Sequence, residues 1–155
     1  MENQPVFESL EYNICLRIRH LDLLITKARR NELEHLEVTP PQIGILHFVQ
    51  QYSSPCTVLQ LRQKMLHSNS STMALLKRME KKGLLYRRQD SKNRKYTRLF
   101  LTEKGKSVYR KAMHLNVFDS IVTGISENDK KQLQQYIEVL IQAAENYGKQ
   151  QQTEK

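Results

Sequence analysis

Features that would place the chain outside the cell or in a membrane are scarce in this sequence. There are only two cysteines, Cys15 and Cys56, which are too few for a disulfide scaffold and lack the spacing of metal ligands. No segment approaches the roughly 18 consecutive apolar residues of a membrane span. The first residues show no charged stretch followed by an apolar run, so no secretion signal is visible. We therefore expect a cytoplasmic chain with no membrane association.

Signatures of catalysis and of bound cofactors are also missing from the sequence. The glycines form no phosphate-cradling loop, the acidic residues form no recognisable catalytic pair, and the histidines form no paired metal-ligand motif. No internal repeat is visible. We predict neither an enzyme nor a protein with a metal or another cofactor.

Positive charge is abundant and unevenly distributed. The net charge is +9; residues 57–106 hold fourteen Lys or Arg against three acidic residues, so this segment carries +11 and the remainder −2. Such clustering is typical of a nucleic-acid-binding face, although a solvated basic surface would have the same composition. Hydrophobic residues make up 39% of the chain, which is low for a self-sufficient monomer of 155 residues. We expect long helices that complete their burial against a second copy.

The spacing of apolar residues predicts a mainly helical N-terminal part. Apolar residues recur at three- and four-residue steps over 7–28, which predicts one long amphipathic helix ending near residues 31–35. Thr39 is expected to cap a second helix, with proline in its first turn. Thr57 is expected to cap a short third helix.

The middle of the chain predicts a helix followed by a hairpin. Small polar residues at 68–72 can cap a fourth helix, which Gly83 is placed to stop in a left-handed conformation. Residues 84–88 and 96–101 then predict two strands, because the second alternates between two sides at every residue. The turn formers at 90–93 lie between them.

Two further helices are predicted after the hairpin. Thr102 can cap a long helix that Gly124 interrupts, and Ser126 can cap a last one. The tail, 149–155, is rich in Gln and Lys and is predicted to be disordered.

The third and fourth helices form a pair that can present the fourth to the major groove of DNA. Small hydroxyl side chains at its start would let the helix end approach closely, and the N–H groups there favour phosphate. The alternative is that Ser68 or Ser70 only caps the helix, and capping and contact are compatible. The candidate DNA-binding residues of this helix are Ser68, Asn69, Ser70, Ser71, Thr72, Met73, Lys77 and Arg78.

The hairpin tip is slim enough to bring Arg94 into the adjacent minor groove, whose negative potential attracts arginine. Asp90 or Asn93 is expected to hold the Arg94 guanidinium by accepting its hydrogen bonds. Alternatively, the turn is solvated and an Arg94–Asp90 pair only stabilises the hairpin. The candidate DNA-binding residues of the hairpin are Arg87, Arg88, Asp90, Lys92, Asn93, Arg94 and Lys95.

Residues 57–105 resemble the winged helix-turn-helix of the multiple-antibiotic-resistance regulator (MarR) family of bacterial transcription factors. The spacing of the family motifs is kept over about 50 residues, from the helix pair through the wing into the next helix. The matching stretches read Leu61-Arg62-x-x-Met65, Thr72-Met73-Ala74-Leu75-Leu76-x-x-Met79-Glu80-x-x-Gly83-Leu84, Asp90-Ser91-Lys92-Asn93-Arg94-Lys95 and Leu101-Thr102-x-x-Gly105.

Three positions depart from the family pattern. Arg62 replaces a small residue where the two helices touch, so its aliphatic stem is expected to extend outward. Met73-Ala74 replaces Thr-Arg, which removes a DNA-contacting arginine. Asn93 replaces an aspartate of the wing, leaving a neutral acceptor or Asp90 to orient Arg94.

The resemblance implies a mainly α fold with a small β-hairpin wing, in which N- and C-terminal helices form a homodimer. Residues 6–35 and 107–148 would be the dimerisation helices, and 39–106 the DNA-binding lobe. The function implied is regulation of transcription, as a repressor on a near-palindromic DNA operator.

Two kinds of signal are open at this stage. Many relatives release DNA when a small, often aromatic or anionic, ligand fills a cleft beside the DNA-binding lobe. A second branch senses organic peroxides through a cysteine early in the first helix, where Cys15 lies, although a small packing role for Cys15 is more common. A different class of function, docking of an acidic protein or of RNA by the winged helix, also fits the basic surface.

Overall fold

The computed structural model describes residues 9–52, 55–65, 69–91 and 93–153. Two of the predicted DNA contacts, Ser68 and Lys92, lie outside the described residues, as do residues 154–155 of the predicted tail. The elements in chain order are α1 (Leu10–Leu33), a 3-10 turn (Glu34–Leu36), α2 (Pro40–Gln51), α3 (Val58–Met65), α4 (Asn69–Lys81), β1 (Leu85–Gln89), β2 (Thr97–Leu101), α5 (Glu103–Met113), α6 (Val117–Val122) and α7 (Glu127–Thr153). The prediction of a mainly helical chain with one hairpin is confirmed.

Threonine caps begin three of the helices, as their spacing predicted. The Thr39 N–H donates to Gln42 Oε1 at 3.0 Å in a capping box. Thr57 Oγ1 accepts from the Gln60 N–H at 3.2 Å, and Thr102 Oγ1 accepts from the Gly105 N–H at 3.0 Å. Each bond satisfies an N–H group that the first helical turn leaves without a partner.

Gly83 follows the end of α4 and has the predicted left-handed conformation, with a φ of 68°. The Leu84 N–H donates to the Met79 carbonyl at 3.0 Å, which is the long bond of a Schellman motif. Gly105 is required for a different reason, because a Cβ there would lie 1.9 Å from the Leu84 carbonyl oxygen. The backbone after α4 therefore has a defined conformation, and the start of α5 packs directly against it at Leu84.

The chain divides into two compact units, Met1–Leu115 and Asn116–Lys155. The core lies in the first unit, where α2, α3, α4 and α5 surround the inner face of the hairpin. Its buried members include Leu46, Leu61, Leu76, Met79, Leu85, Leu99 and Ala112. In the second unit, formed by α6 and α7, none of the described side chains is buried.

The helix predicted to run from Thr102 to Gly124 is instead broken at residues 114–116. The N–H groups of His114 and Leu115 bond back only three residues, to Lys111 and Ala112, in a closing turn. The apolar repeat continues across this break because Leu115 packs against the core of the first unit. The periodicity of apolar residues therefore gave no signal of the turn.

Two of the predicted boundaries change as a result of the helix positions. Residues 107–113 lie in α5 and belong to the first unit, so the predicted segment 107–148 spans both units. Residues 149–153 continue α7 rather than forming a disordered tail. Gly148 costs about 1 kcal/mol in a helix, and the Lys and Gln residues after it are good helix formers.

Within the described ranges, no helix is both long and apolar enough to cross a membrane. The same ranges contain no cluster of three or more His, Cys, Asp or Glu side chains that would suit a metal ion.

Candidate nucleic-acid interface

The faces of α4 separate the predicted base-reading residues into two groups. Thr72, Leu76 and Met79 recur at four- and three-residue steps and point into the core. Thr72 is only 2% exposed, so its side chain cannot meet a base edge, and the prediction that it does so is wrong. The predicted contacts of α4 that lie on its exposed side are Ser70, Ser71, Met73, Lys77 and Arg78.

The hairpin turns Leu85 and Leu99 toward the core, and its other face carries two aromatic rings and two arginines. Its antiparallel register pairs Tyr86 with Phe100 and Arg88 with Arg98. The Tyr86 and Phe100 rings stack with centroids 5.0 Å apart, and the Arg88 guanidinium carbon lies 5.0 Å from the centre of Phe100. Arg88 is exposed and is held over an aromatic ring by a cation–π contact.

Arg87, predicted to meet a phosphate, has a carboxylate partner within the lobe. Its Nε donates to Glu80 Oε1 at 3.0 Å, and its Nη2 donates to Glu80 Oε2 at 2.7 Å. The hydrogen bonds from Arg87 hold the pKa of Glu80 below its usual value, although partial burial acts the other way. Arg87 thus joins α4 to β1, a role that the sequence did not reveal.

Asp90 is buried at the base of the turn, where it organises the hairpin. Its carboxylate accepts from Arg98 Nε and, at 2.9 Å, from the Asn93 N–H. Arg98 also donates to the Pro55 carbonyl at 2.7 Å, and the Leu99 N–H donates to the Cys56 carbonyl at 2.9 Å. The hairpin is therefore attached to the segment before α3.

The expected hydrogen bonds from the Arg94 guanidinium to Asp90 or Asn93 are not found in the turn. The ion pair of Asp90 is with Arg98, and Asn93 Oδ1 accepts from the Lys95 N–H at 3.1 Å. Arg94 is exposed, and its guanidinium makes no hydrogen bond or ion pair with another residue of the described ranges. Its carbonyl accepts from Gln89 Nε2 at 2.7 Å, which holds the backbone at this point.

Sequence reasoning missed Glu80 and Arg98 as parts of this surface. The alternation of β2 placed Arg98 on the same side as Tyr96 and Phe100, which was the available signal. No local signal identified Glu80, because its partner Arg87 lies beyond a helix end and a turn.

A cavity of about 440 Å³ opens where the ends of α1 and α2 approach α4. Two arginines face it from different helices, Arg30 of α1 and Arg78 of α4. The other residues that line it are Thr39, Pro40, Pro41, Gln42, Ser71 and Leu75. Its mixed lining and two cations suit a small anionic molecule with an apolar body.

The two cysteines differ in environment. Cys15 is exposed on α1, whereas Cys56 is buried beside the hairpin. Burial raises the pKa of the Cys56 thiol and disfavours the reactive thiolate. Only Cys15 is therefore accessible to an oxidant from solvent.

A helix pair followed by a basic hairpin wing defines a winged helix-turn-helix protein. The family model described as MarR family matches residues 36–95, which span α2, α3, α4 and the first part of the wing. The DNA-binding lobe of this chain is therefore similar to that of the MarR family.

The chain is also similar in sequence to curated relatives and in fold to solved structures. The chain is 26% identical over 135 residues to an organic hydroperoxide resistance transcriptional regulator of Bacillus subtilis, covering 87% of this chain and 89% of that protein. Its fold is similar to a MarR mutant of E. coli complexed with operator DNA, with a TM-score of 0.78, 14% identity and coverage of 88% and 99%. The organohalide-sensing regulator RdhR-CbdbA1625 bound to 2,4-dichlorophenol also has a TM-score of 0.78, with 24% identity and coverage of 90% and 85%.

Proposed function

We propose that this protein is a sequence-specific regulator of transcription that binds double-stranded DNA as a homodimer and represses by occluding a promoter. The observation that carries the proposal is the exposure of Ser70, Ser71, Lys77 and Arg78 on α4, together with Arg94 on the wing, whose guanidinium has no partner among the described residues. These side chains belong to the segment that carries the whole positive excess of the chain. Cytoplasmic location follows from this role.

Each element has a groove that suits its size and charge. The major groove is about 12 Å wide and admits a helix such as α4, while the narrower minor groove attracts an inserted arginine. Arg94 has no acceptor among the described residues, so its guanidinium is available without breaking an internal pair. Lys77, Arg78, Arg88 and Lys95 are exposed and suited to phosphates.

A homodimer is supported by apolar surface that the single chain does not cover. On α1, Leu10, Ile14, Ile18 and Leu21 are 41 to 71% exposed. On α7, Leu133, Ile137, Leu140 and Tyr147 are 43 to 66% exposed. Apolar stripes of this length favour association with a second copy. A two-fold dimer would place two recognition helices on half-sites about one DNA turn apart.

Selection from a random duplex pool with the purified protein tests the proposal, and the expected product is a shared near-palindrome. Affinity for it should fall steeply with salt, because lysines and arginines displace counterions. Recovery of duplexes without any common motif, or a preference for RNA, would contradict the proposed function.

Arg94→Ala is expected to weaken binding to the selected operator by about tenfold, with a similar loss on other A·T-containing duplexes. The reason is loss of a wing-tip cation that has no acceptor among the described residues. Lys131→Ala, which removes the same charge from exposed α7, is the matched control and should change binding little. Titrations at one fixed salt concentration provide the comparison; equal losses in both variants would exclude a role for the wing tip.

Two signals for release are open, and one titration separates them. The cavity beside Arg30 suits a small aromatic carboxylate, and exposed Cys15 suits an organic hydroperoxide; similarity to the Bacillus subtilis hydroperoxide regulator favours the second. Release by the hydroperoxide is expected to vanish in Cys15→Ser, and release by the carboxylate in Arg30→Ala. If the hydroperoxide still releases Cys15→Ser from DNA and the carboxylate still releases Arg30→Ala, both assignments are excluded.

A further inference from the structure

The join, meaning the connection between α4 (the proposed recognition helix) and the hairpin wing, contains an acidic residue on an otherwise basic surface. Of the three acidic residues in 57–106, Glu103 is 85% exposed at its side chain, Asp90 is buried beneath the turn, and Glu80 lies in the last turn of α4. A carboxylate near a phosphate-binding face opposes DNA binding. Its presence at this position therefore needs a compensating role.

Glu80 is held by three donors of one residue. Besides the two guanidinium bonds from Arg87, the Arg87 backbone N–H donates to Glu80 Oε1 at 3.1 Å. A paired arginine and carboxylate with two parallel bonds restricts orientation as well as distance. The backbone bond adds the first residues of β1 to the same constraint.

The constraint extends along the helix toward the end that meets DNA. Arg87 Nη1 lies 4.0 Å from the sulfur of Met73, which is seven residues before Glu80 and on the same face of α4. Arg87 therefore spans about two helical turns. The connection itself is short, because Gly83 and Leu84 bond back to Glu80 and Met79.

We infer that Glu80 is a positioning residue for DNA recognition, which acts through Arg87 to set the angle between the recognition helix and the wing. This inference rests on the proposed function. Two attachments to neighbouring grooves reinforce each other only when both fit at once. The ion pair contributes no net charge to the surface, so its effect is on selectivity for the operator rather than on attraction to DNA in general.

Two substitutions test the geometry separately from the charge. Glu80→Gln removes one negative charge, as does the control Glu103→Gln at an exposed position away from the join. Arg87→Lys retains its positive charge but loses the two parallel bonds, and Arg110→Lys at an exposed position of α5 is its control. The measured quantity is the ratio of the Kd for a shuffled duplex to the Kd for the selected operator, at one salt concentration.

Glu80→Gln and Arg87→Lys are expected to lower this ratio by about tenfold, mainly through weaker operator binding, with shuffled-duplex binding equal to that of their controls. Glu103→Gln and Arg110→Lys should keep the wild-type ratio. Circular dichroism and thermal melts identify a variant that has lost its fold, and Arg87→Lys is the milder of the two changes.

The outcomes separate this inference from the proposed function. A wild-type operator preference that persists in both Glu80→Gln and Arg87→Lys overturns the positioning role alone. A fall in operator and shuffled binding by the same factor, which leaves the ratio unchanged, also overturns it. Wild-type protein without any operator preference overturns the proposed function and the positioning role together.

Discussion

The double variant Ile137→Glu and Leu140→Glu is expected to be monomeric and to bind the operator about 100-fold more weakly or worse. Both side chains are 43% exposed on α7, where they form part of an apolar stripe. Glutamate at these positions would have to be buried without a partner in a dimer interface, which is costly. A monomer loses the second half-site, and linked binding sites exceed single ones by about 100- to 10,000-fold.

Light scattering measures the oligomeric state, and an operator titration measures the affinity. The matched control is Gln135→Glu with Gln142→Glu, which adds the same charge to exposed polar positions of α7. This control should remain dimeric and bind normally. A dimeric Ile137→Glu and Leu140→Glu variant would show that these residues lie outside the interface.

Arg29→Met is expected to lower the free energy of unfolding by about 3–5 kcal/mol, because it leaves a partly buried carboxylate without its cation. The Arg29 side chain is 5% exposed; its Nη1 donates to Glu32, and its Nη2 donates to the Ala112 carbonyl at 2.7 Å. These bonds tie the last turns of α1 and α5 together. The corresponding fall in Tm is on the order of 10 °C.

Urea unfolding at one fixed protein concentration provides the measurement, because stability of a dimer depends on concentration. Arg30→Met is the control, since Arg30 is exposed, and it should change stability by about 0.5 kcal/mol or less. The pair Arg29→Met with Glu32→Leu should recover part of the loss, since apolar replacement of a buried ion pair is tolerated. An Arg29→Met variant with the free energy of unfolding of the wild type would show that the buried ion pair does not stabilise the fold.

Local chemistry predicted where most elements begin and end. Thr39, Thr57 and Thr102 cap helices, and Gly83 has the left-handed conformation that its position after α4 required. These features depend on residues within a few positions of each other. The failure at residues 114–116 has a similar origin, since the apolar repeat continued while the chain turned.

The residues of the interface were less predictable than its location. Five small polar residues stand in a row at 68–72, of which 69–72 begin α4, and their types do not show which of them faces DNA. The packing of Leu76 and Met79 sets the rotation of the helix and buries Thr72 while it exposes Ser71. Likewise, the partners of Asp90 and Glu80 are arginines that the hairpin register and the turn bring to them.

The sequence alone determined the mainly helical class with one hairpin and the third of the chain that carries the positive charge, because these depend on residue type and short-range spacing. Only the tertiary structure decided which side chains of that segment are exposed, which arginines are already paired and where the first unit ends. Those properties depend on contacts between residues that are distant along the chain.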